Sequence, residues 1–265
     1  QPEYVAICLS VKGQVRDLPE WFIHHYHHIG IRRFYIMDDG TKPPLSEQPE
    51  NHYGIPRSAI TFQYFDETDR MPYMQNHMYN ECNRRFRDRH TWIAYIDADE
   101  FLEMTSTTKR ETLDDVLREF EKDPKVGAVG VNWQVHNSNN LTERPPSARK
   151  GFTRCIVDDP EQDNRHIKSI VRTAYYSYPT SPHSFFTTDD TITVGENGDK
   201  VDYAFRRPIT RQRMALHHYV VKSKAEYAAK VQRGNGMDQP KGWDFWDHVE
   251  KMPSVDCMSM AHYSP

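Results

Sequence analysis

The chain opens on an apolar run, Tyr4-Val5-Ala6-Ile7-Cys8-Leu9, extended to Val11 and bounded by polar residues. An unbroken run of that length predicts a strand buried on both faces. Asp17-Leu18-Pro19-Glu20 follows with the chemistry of a helix start: an N-cap acid, a proline in the first turn and a carboxylate at the positive end of the dipole. A helix is expected through Trp21 to Ile29, stopped by Gly30. Arg33 to Met37 is the next apolar stretch, ending at Asp38-Asp39-Gly40-Thr41. Strand, helix and strand on short links make a βαβ unit, so the two strands should be parallel neighbours.

The same alternation continues. Ile60 to Phe65 reads as a strand, and Met71 to Arg89 as a helix with Met74, Met78 and Cys82 at helical spacing. Thr91 to Ile96 is again strand-like. Thr112 to Glu121 places Leu113, Val116, Leu117 and Phe120 on one helical face, and Val126 to Val135 returns to a strand. Asn137 to Lys150 is polar with paired prolines and should be a loop. Beyond it come less regular β structure, a helix over Ser223 to Arg233 and an aromatic tail. With no internal repeat or low-complexity linker, the pattern predicts a single α/β domain over residues 1–265. Its central sheet should be mostly parallel, with the C-terminal half wrapping over it.

Composition narrows the classes. At 265 residues the chain can bury a substantial core, and 12% aromatic with 27% charged residues describes a folded globular protein. A formal charge of −4 argues against a nucleic-acid binder that relies on neutralising phosphates. No apolar run is long enough to cross a bilayer. The first residue is Gln1, so removal of something upstream is expected, which leaves room for a lost signal or anchor. Cys8, Cys82, Cys155 and Cys257 show no zinc-like spacing; Cys8 reads as a buried free thiol, and the even count permits disulfides without choosing partners. Asn140-Leu141-Thr142 is a glycosylation sequon, relevant to a secretory protein.

Candidate chemistry gathers at strand ends. Asp97-Ala98-Asp99-Glu100 follows the strand ending at Ile96, and alternation along an extended chain would point Asp97 and Asp99 to one side. Ligands of open α/β sheets bind at such carboxyl ends, and paired carboxylates suit Mg²⁺ or Mn²⁺ with phosphate oxygens completing the sphere. A bare DxD is also ordinary turn chemistry; its place at the end of a buried strand favours the metal. Asp38 and Asp39 end another strand on the same rim and could accept from ribose or base, although Asp-Gly is equally a plain β-turn. Lys168 and Arg172 lie four apart on a predicted strand, hence on one face, either as exposed basic residues or as partners for a departing diphosphate. His183, His217 and His218 are candidate metal ligands, against the commoner structural role of a lone histidine. Trp133, Trp243, Phe245 and Trp246 offer flat faces for sugar rings, with at least two expected in the core.

Taken in order, these residues resemble a known family. Trp92 to Leu102 is similar to the metal-binding strand of GT-A glycosyltransferases, particularly glycosyltransferase family 92, the DUF23-type domain. Pro19-Glu20-Trp21 with His25, Gly30 and Phe34-Tyr35-Ile36 resembles that family's opening helix and second strand. Further blocks are Asn132-Trp133 with Ser138, His166 to Arg172 with His183, and His218 to Ser223 with Lys230 and Gly234. The departures are Gly13-Gln14 where many relatives carry Asn-Glu, His136-Asn137 in place of Phe-Gly, and Thr173 in place of proline.

The resemblance implies a GT-A, Rossmann-like domain with a nucleotide-sugar-binding half over 1–135 and an acceptor-side half over 136–265. It implies a metal-dependent, inverting hexosyltransferase using Mn²⁺ or Mg²⁺ and a UDP-sugar, with galactose leading, acting on a glycan acceptor, and it favours His218 as the third metal ligand. A removed anchor would place the protein in the Golgi lumen. The metal ligands are then Asp97, Asp99 and His218; Asp38, Asp39, Asp97, Lys168 and Arg172 hold the donor, Asp97 through either the metal or the ribose; Trp133, His183, Trp243 and Trp246 meet the acceptor. The base should be a carboxylate on the face away from the diphosphate, with Asp244 preferred, then Asp247, Asp189 and Asp190. A non-catalytic binder of sugars or nucleotide sugars is the alternative. A nucleotidyltransferase is disfavoured, because Val11 to Arg16 lacks a glycine-rich phosphate loop.

Overall fold

A computed structural model describes residues 3–264. β1 (Val5–Val11) is buried on both faces, as its unbroken apolar sequence predicts. α1 (Leu18–Ile23) starts with proline in its first turn, but Asp17 gives no side-chain cap. The expected N-cap instead ion-pairs with Arg144 at 2.7 Å and Lys222 at 2.8 Å. Burial acts to raise the Asp17 carboxyl, yet Lys222 and Arg144 together hold it below the usual range. The helix then widens into a π-helical turn, His24–Ile29, closed by Gly30 at φ 93°. A left-handed residue of that kind favours glycine.

β2 (Phe34–Asp39) and β3 (Ile60–Phe65) extend the sheet in parallel from β1. α2 (Met74–Phe86) leads to β4 (Trp92–Tyr95), which lies parallel to β1 on its other side. β5 (Glu100–Met104) follows a tight turn, then α3 (Leu113–Glu121) and β6 (Val126–Val135). Thr112 caps α3 through a reciprocal capping box with Asp115, and the four predicted apolar residues are its buried face.

The second half completes the same sheet. It contains α4 (Ala148–Gly151), β7 (Arg154–Ile156), β8 (Ile167–Arg172), β9 (Tyr176–Pro179), β10 (Phe185–Thr187), β11 (Ile192–Val194), β12 (Lys200–Val201) and β13 (Met214–His218). α5 (Lys224–Arg233), α6 (Trp243–Lys251) and β14 (Ser254–Asp256) end the chain. Among the described residues the main sheet has ten strands in the order β12-β11-β6-β8-β4-β1-β2-β3, with β13 joining β6 to β5. The β3-β2-β1-β4 half is parallel as expected, whereas β8 runs antiparallel to both β4 and β6. The α/β expectation stands, and the reversal of β8 brings the start of that strand to the rim where β1, β2 and β4 end.

Two disulfides tie distant parts together. Cys8 is not a free thiol: it pairs with Cys82, joining β1 to α2, and Cys155 pairs with Cys257, joining β7 to the tail. The apolar setting of Cys8 was legible, but its partner was hidden because Cys82 reaches it across a helix–sheet contact. The Cys155–Cys257 pair lies beside His136 and His217, on the face of β13 opposite His218.

Candidate functional site

A cavity of about 690 Å³ opens over the rim, where β1, β2 and β4 end and β8 begins. Ligands enter open α/β sheets at such a rim. One end is formed by Ser10, Lys12, Gln14 and Asp39, and the other by His166, His183, Tyr203 and Phe205. Asp97 and Asp99 lie between the two ends. They arrive through a turn rather than an extended strand, the Glu100 N–H donating to the Asp97 carbonyl at 3.1 Å.

That turn is held from behind by the opening helix. Trp21 Nε1 donates to the carbonyls of Asp97 at 3.1 Å and Glu100 at 2.9 Å. His25 Nδ1 donates to the Trp21 carbonyl at 2.8 Å, leaving Nε2 to accept from the Leu102 N–H at 3.2 Å. Burial pushes the His25 ring down to about 3, which keeps it neutral, while the carbonyl at Nδ1 and the N–H at Nε2 fix this tautomer. His24 adds a bond to the Leu102 carbonyl at 2.7 Å. The Trp21 and His25 pattern therefore supports the acid turn without touching the cavity.

Each carboxylate of the turn has a defined setting. Asp97 Oδ1 accepts from Gln75 at 2.7 Å, and its Oδ2 lies 3.1 Å from Lys168 Nζ. Asp99 Oδ2 accepts from Lys230 at 2.8 Å, and its Oδ1 lies 3.5 Å from His218 Nε2. Burial would raise the Asp99 carboxyl, but Lys230 and His218 outweigh it and keep it well below the usual range. His218 is pushed down by burial, against the pull of Asp99, and its Nδ1 is buried without a partner. Glu100 is fully buried behind them, taking the Trp133 Nε1–H at 2.9 Å and the Asp97 N–H at 2.7 Å. Burial, aided by Asp97 and Asp99, drives its carboxyl well up despite Lys168.

The structure brings some predicted residues together and separates others. Asp97, Asp99, His218, Asp39, Trp133 and His183 all line the cavity. Asp39 is held by Arg70, whose Nη1 reaches both oxygens at 3.1 and 2.9 Å. Asp38 does not face a ligand: its oxygens accept from the Thr41 and Leu45 N–H groups at 3.0 and 2.9 Å, so it closes its own turn. Lys168 lies behind Asp97, 1% exposed, and donates to the Pro182 carbonyl at 3.0 Å. Arg172 is excluded from the site. It pairs across the sheet with Trp92, at the opposite end of β4 from the acids, and lies 4.0 Å from Glu121. Four residues along a strand share a face but span its length.

In the aromatic tail, Phe245 and Lys241 reach the cavity. Trp243 and Trp246 instead pack around Tyr227. Asp244 is exposed and turned back over Gly242, outside the cavity lining, and Asp247, Asp189 and Asp190 also lie outside it. His217 faces away from Asp99, bonding Glu103 at 2.7 Å and His136 at 2.8 Å. Sequence reasoning gave no role to Gln75, Glu100, Lys230, Lys241 or His166. Gln75 and Tyr79 do lie four apart on α2, on the face that meets Asp97, and Lys230 stands four residues before the helix-ending Gly234.

Residues 3–220 match the model of Glycosyltransferase family 92. The chain belongs to glycosyltransferase family 92. A family 92 protein of Oryza sativa subsp. japonica is 30% identical over 173 residues, covering 63% of this chain and 26% of that protein. One of Ricinus communis is 26% identical over 175 residues, covering 65% of this chain and 29% of that protein. This family 92 chain thus aligns with little more than a quarter of the length of those relatives. Among solved structures, a mannosyltransferase from Pyrobaculum calidifontis in complex with GDP-Man and Mn²⁺ overlaps at a TM-score of 0.32 and 19% identity, covering 49% of this chain and 36% of that one. S. aureus TarS in complex with UDP overlaps at a TM-score of 0.39 and 10% identity, covering 64% and 47%.

Proposed function

We propose that this chain is a metal-dependent, inverting glycosyltransferase that moves a hexose, galactose first, from a UDP-sugar to a glycan acceptor. The observation that carries the reading is the meeting of Asp97, Asp99 and His218 in one cavity at the sheet rim. Two carboxylates and an imidazole fit a Mn²⁺- or Mg²⁺-type ion, and the 3.5 Å separation of His218 Nε2 from Asp99, longer than a usual hydrogen bond, leaves that nitrogen free to share an ion with the carboxylate. When bound, the ion supplies Lewis-acid stabilisation of the diphosphate. Lys230 and Lys241 line the same cavity and add positive charge for that group. Asp39, at the β2 end, is the contact assigned to the nucleoside.

The proton acceptor is reassigned from Asp244 to the imidazoles at the other end. Among the described residues the carboxylates lining the cavity are Asp39, Asp97 and Asp99, each already engaged. His166 and His183 donate through Nδ1 to the Asp163 and Ile167 carbonyls at 2.8 and 2.9 Å, leaving Nε2 free to accept. Burial pushes both rings down, so they are neutral at pH 7. Two disulfides suit an oxidising compartment, which supports a lumenal setting such as the Golgi. The test is nucleoside diphosphate release with Mn²⁺ across a panel of sugar donors. UDP-galactose is expected to give the highest rate, with loss on Asp99→Ala. Donor binding without release, or release indifferent to Asp99, would refute catalysis or its site, and the former would favour a non-catalytic binder.

A further inference from the structure

Tyr203 and Phe205 are 50% and 36% exposed, yet both line the cavity that holds the acids. Large aromatic faces left open inside a polar cavity mark a place for a ligand. Behind them the support is continuous. Phe205 forms an isolated antiparallel bridge with His166, and its ring meets the His166 ring edge-on with centroids 4.7 Å apart. His166 stacks on Trp133 at 4.6 Å, and Trp133 is fixed through Nε1 to Glu100. The Arg165 guanidinium covers Phe205 at 4.4 Å. The ring is therefore held by its neighbours on one side and open on the other.

The position of this shelf indicates what it holds. His166 immediately precedes β8, and β8 is separated from β1 by β4 alone. At about 4.8 Å per strand spacing, the shelf stands roughly 10 Å across the rim from the β1 end, on the far side of Asp97 and Asp99. A donor with its nucleoside over β1 and β2 and its diphosphate at the acids would leave the shelf free. We infer that Tyr203, Phe205 and His166 form the acceptor subsite, on which a hexopyranose chain lies with its terminal ring toward Asp99. The inference rests on the transferase reading for orientation, but the shelf itself is a sugar-binding surface whether or not transfer occurs. Flat apolar faces with polar edges match the faces of pyranose rings, and Thr180, Ser181 and His183 bring polar groups to the same end. The exposed Tyr178–Phe186 pair on the β9–β10 hairpin lies outside the cavity and serves as the control surface.

The test uses the full chain with cellohexaose, mannohexaose and galactohexaose as probes, read by saturation-transfer NMR and calorimetry. At least one hexaose should bind the wild-type chain. Tyr203→Ala should weaken that binding roughly tenfold and Tyr203→Ala/Phe205→Ala roughly a hundredfold, as expected for uncovering buried apolar faces. Tyr178→Ala should change it less than about twofold, and UDP affinity in Mn²⁺ should not move in any variant. Tyr203 lies at the surface, so its variant keeps the test open even if Phe205→Ala misfolds. Failure of all three hexaoses to bind, or binding indifferent to Tyr203 and Phe205, overturns the shelf. Shelf-dependent binding in a chain that releases no diphosphate from any donor leaves the shelf standing and refutes the transferase reading instead.

Discussion

Replacing Lys168 by methionine tests how the acid turn is balanced. The ammonium is 1% exposed and lies 3.1 Å from Asp97 and 3.8 Å from Glu100, so one cation serves two carboxylates. Losing one partner of a buried pair costs about 3–5 kcal/mol, because the other charge is left desolvated. Asp97 keeps 30% of its side chain in solvent, and the raised Glu100 carboxyl can retain a proton, so the lower end applies, about 3 kcal/mol. At about 2–4 °C per kcal/mol for a chain of this size, the melting temperature should fall by roughly 6–12 °C. The Lys168 ammonium is raised: burial acts to lower it, but Asp97 and Glu100 prevail. A raised lysine contributes its full stability below the unfolded value near 10.4, and the contribution is lost only as pH rises through the folded value. The wild-type advantage should therefore persist unchanged from pH 7 to 9. Thermal melts of wild type, Lys168→Met and Lys168→Met/Asp97→Asn provide the assay, the double variant recovering part of the loss. A single variant melting within about 2 °C of wild type would show that the ammonium does not balance these acids.

Two further outcomes separate the turn from the cavity. Asp38→Asn removes one of two acceptors for buried N–H groups and should cost about 1–3 kcal/mol in denaturant melts, with UDP affinity of the folded protein changed less than about twofold. Lys241 is exposed along its stem, but its ammonium lies 3.6 Å over the Phe245 ring at the cavity, and burial followed by Lys230 brings it down to about 8. UDP affinity should fall a few-fold as pH rises through about 8, a dependence that Lys241→Met removes. Over the same window the unfolded chain holds this proton more tightly, so Lys241's contribution to stability increases with pH.

The parallel half of the fold was legible because β1, β2 and β4 are buried on both faces and the first helical segment has a proline in its first turn and Gly30 at its end. Asp97 and Asp99 were legible for the same reason: a polar pair after a buried strand has to emerge at the rim. The reversal of β8 was not, since Ile167 to Val171 reads the same in either direction, and that reversal brings the Lys168 end of the strand, not the Arg172 end, to the rim. Asp38 was misassigned because the carboxylate that closes a turn and the carboxylate that meets a ribose share one local sequence. The contributions of Lys230 and Lys241 depend on a return of the chain over the sheet that no local pattern encodes. The same holds for Trp243 and Asp244: an aromatic cluster reads as a sugar platform in sequence, while α6 turns both residues outward.

The pairing of β5 also bears on the order of assembly. Among the described residues β5 is hydrogen-bonded to β13 alone, with Glu100 in register opposite His218. β13 is synthesised after nearly all the other strands, so the loop between these partners must be ordered before their contact can form. Until then the turn carrying Asp97 and Asp99 has no strand partner beyond it, and His218 is not in place to join them. A nascent or truncated chain ending before β13 can form the β1-β2-β3-β4 platform but lacks His218 and Lys230 at the acids. The cluster of Asp97, Asp99 and His218 therefore reports on a finished fold, and a pulse-labelled refolding experiment should find the amides of Glu100 to Met104 protected later than those of Val5 to Val11.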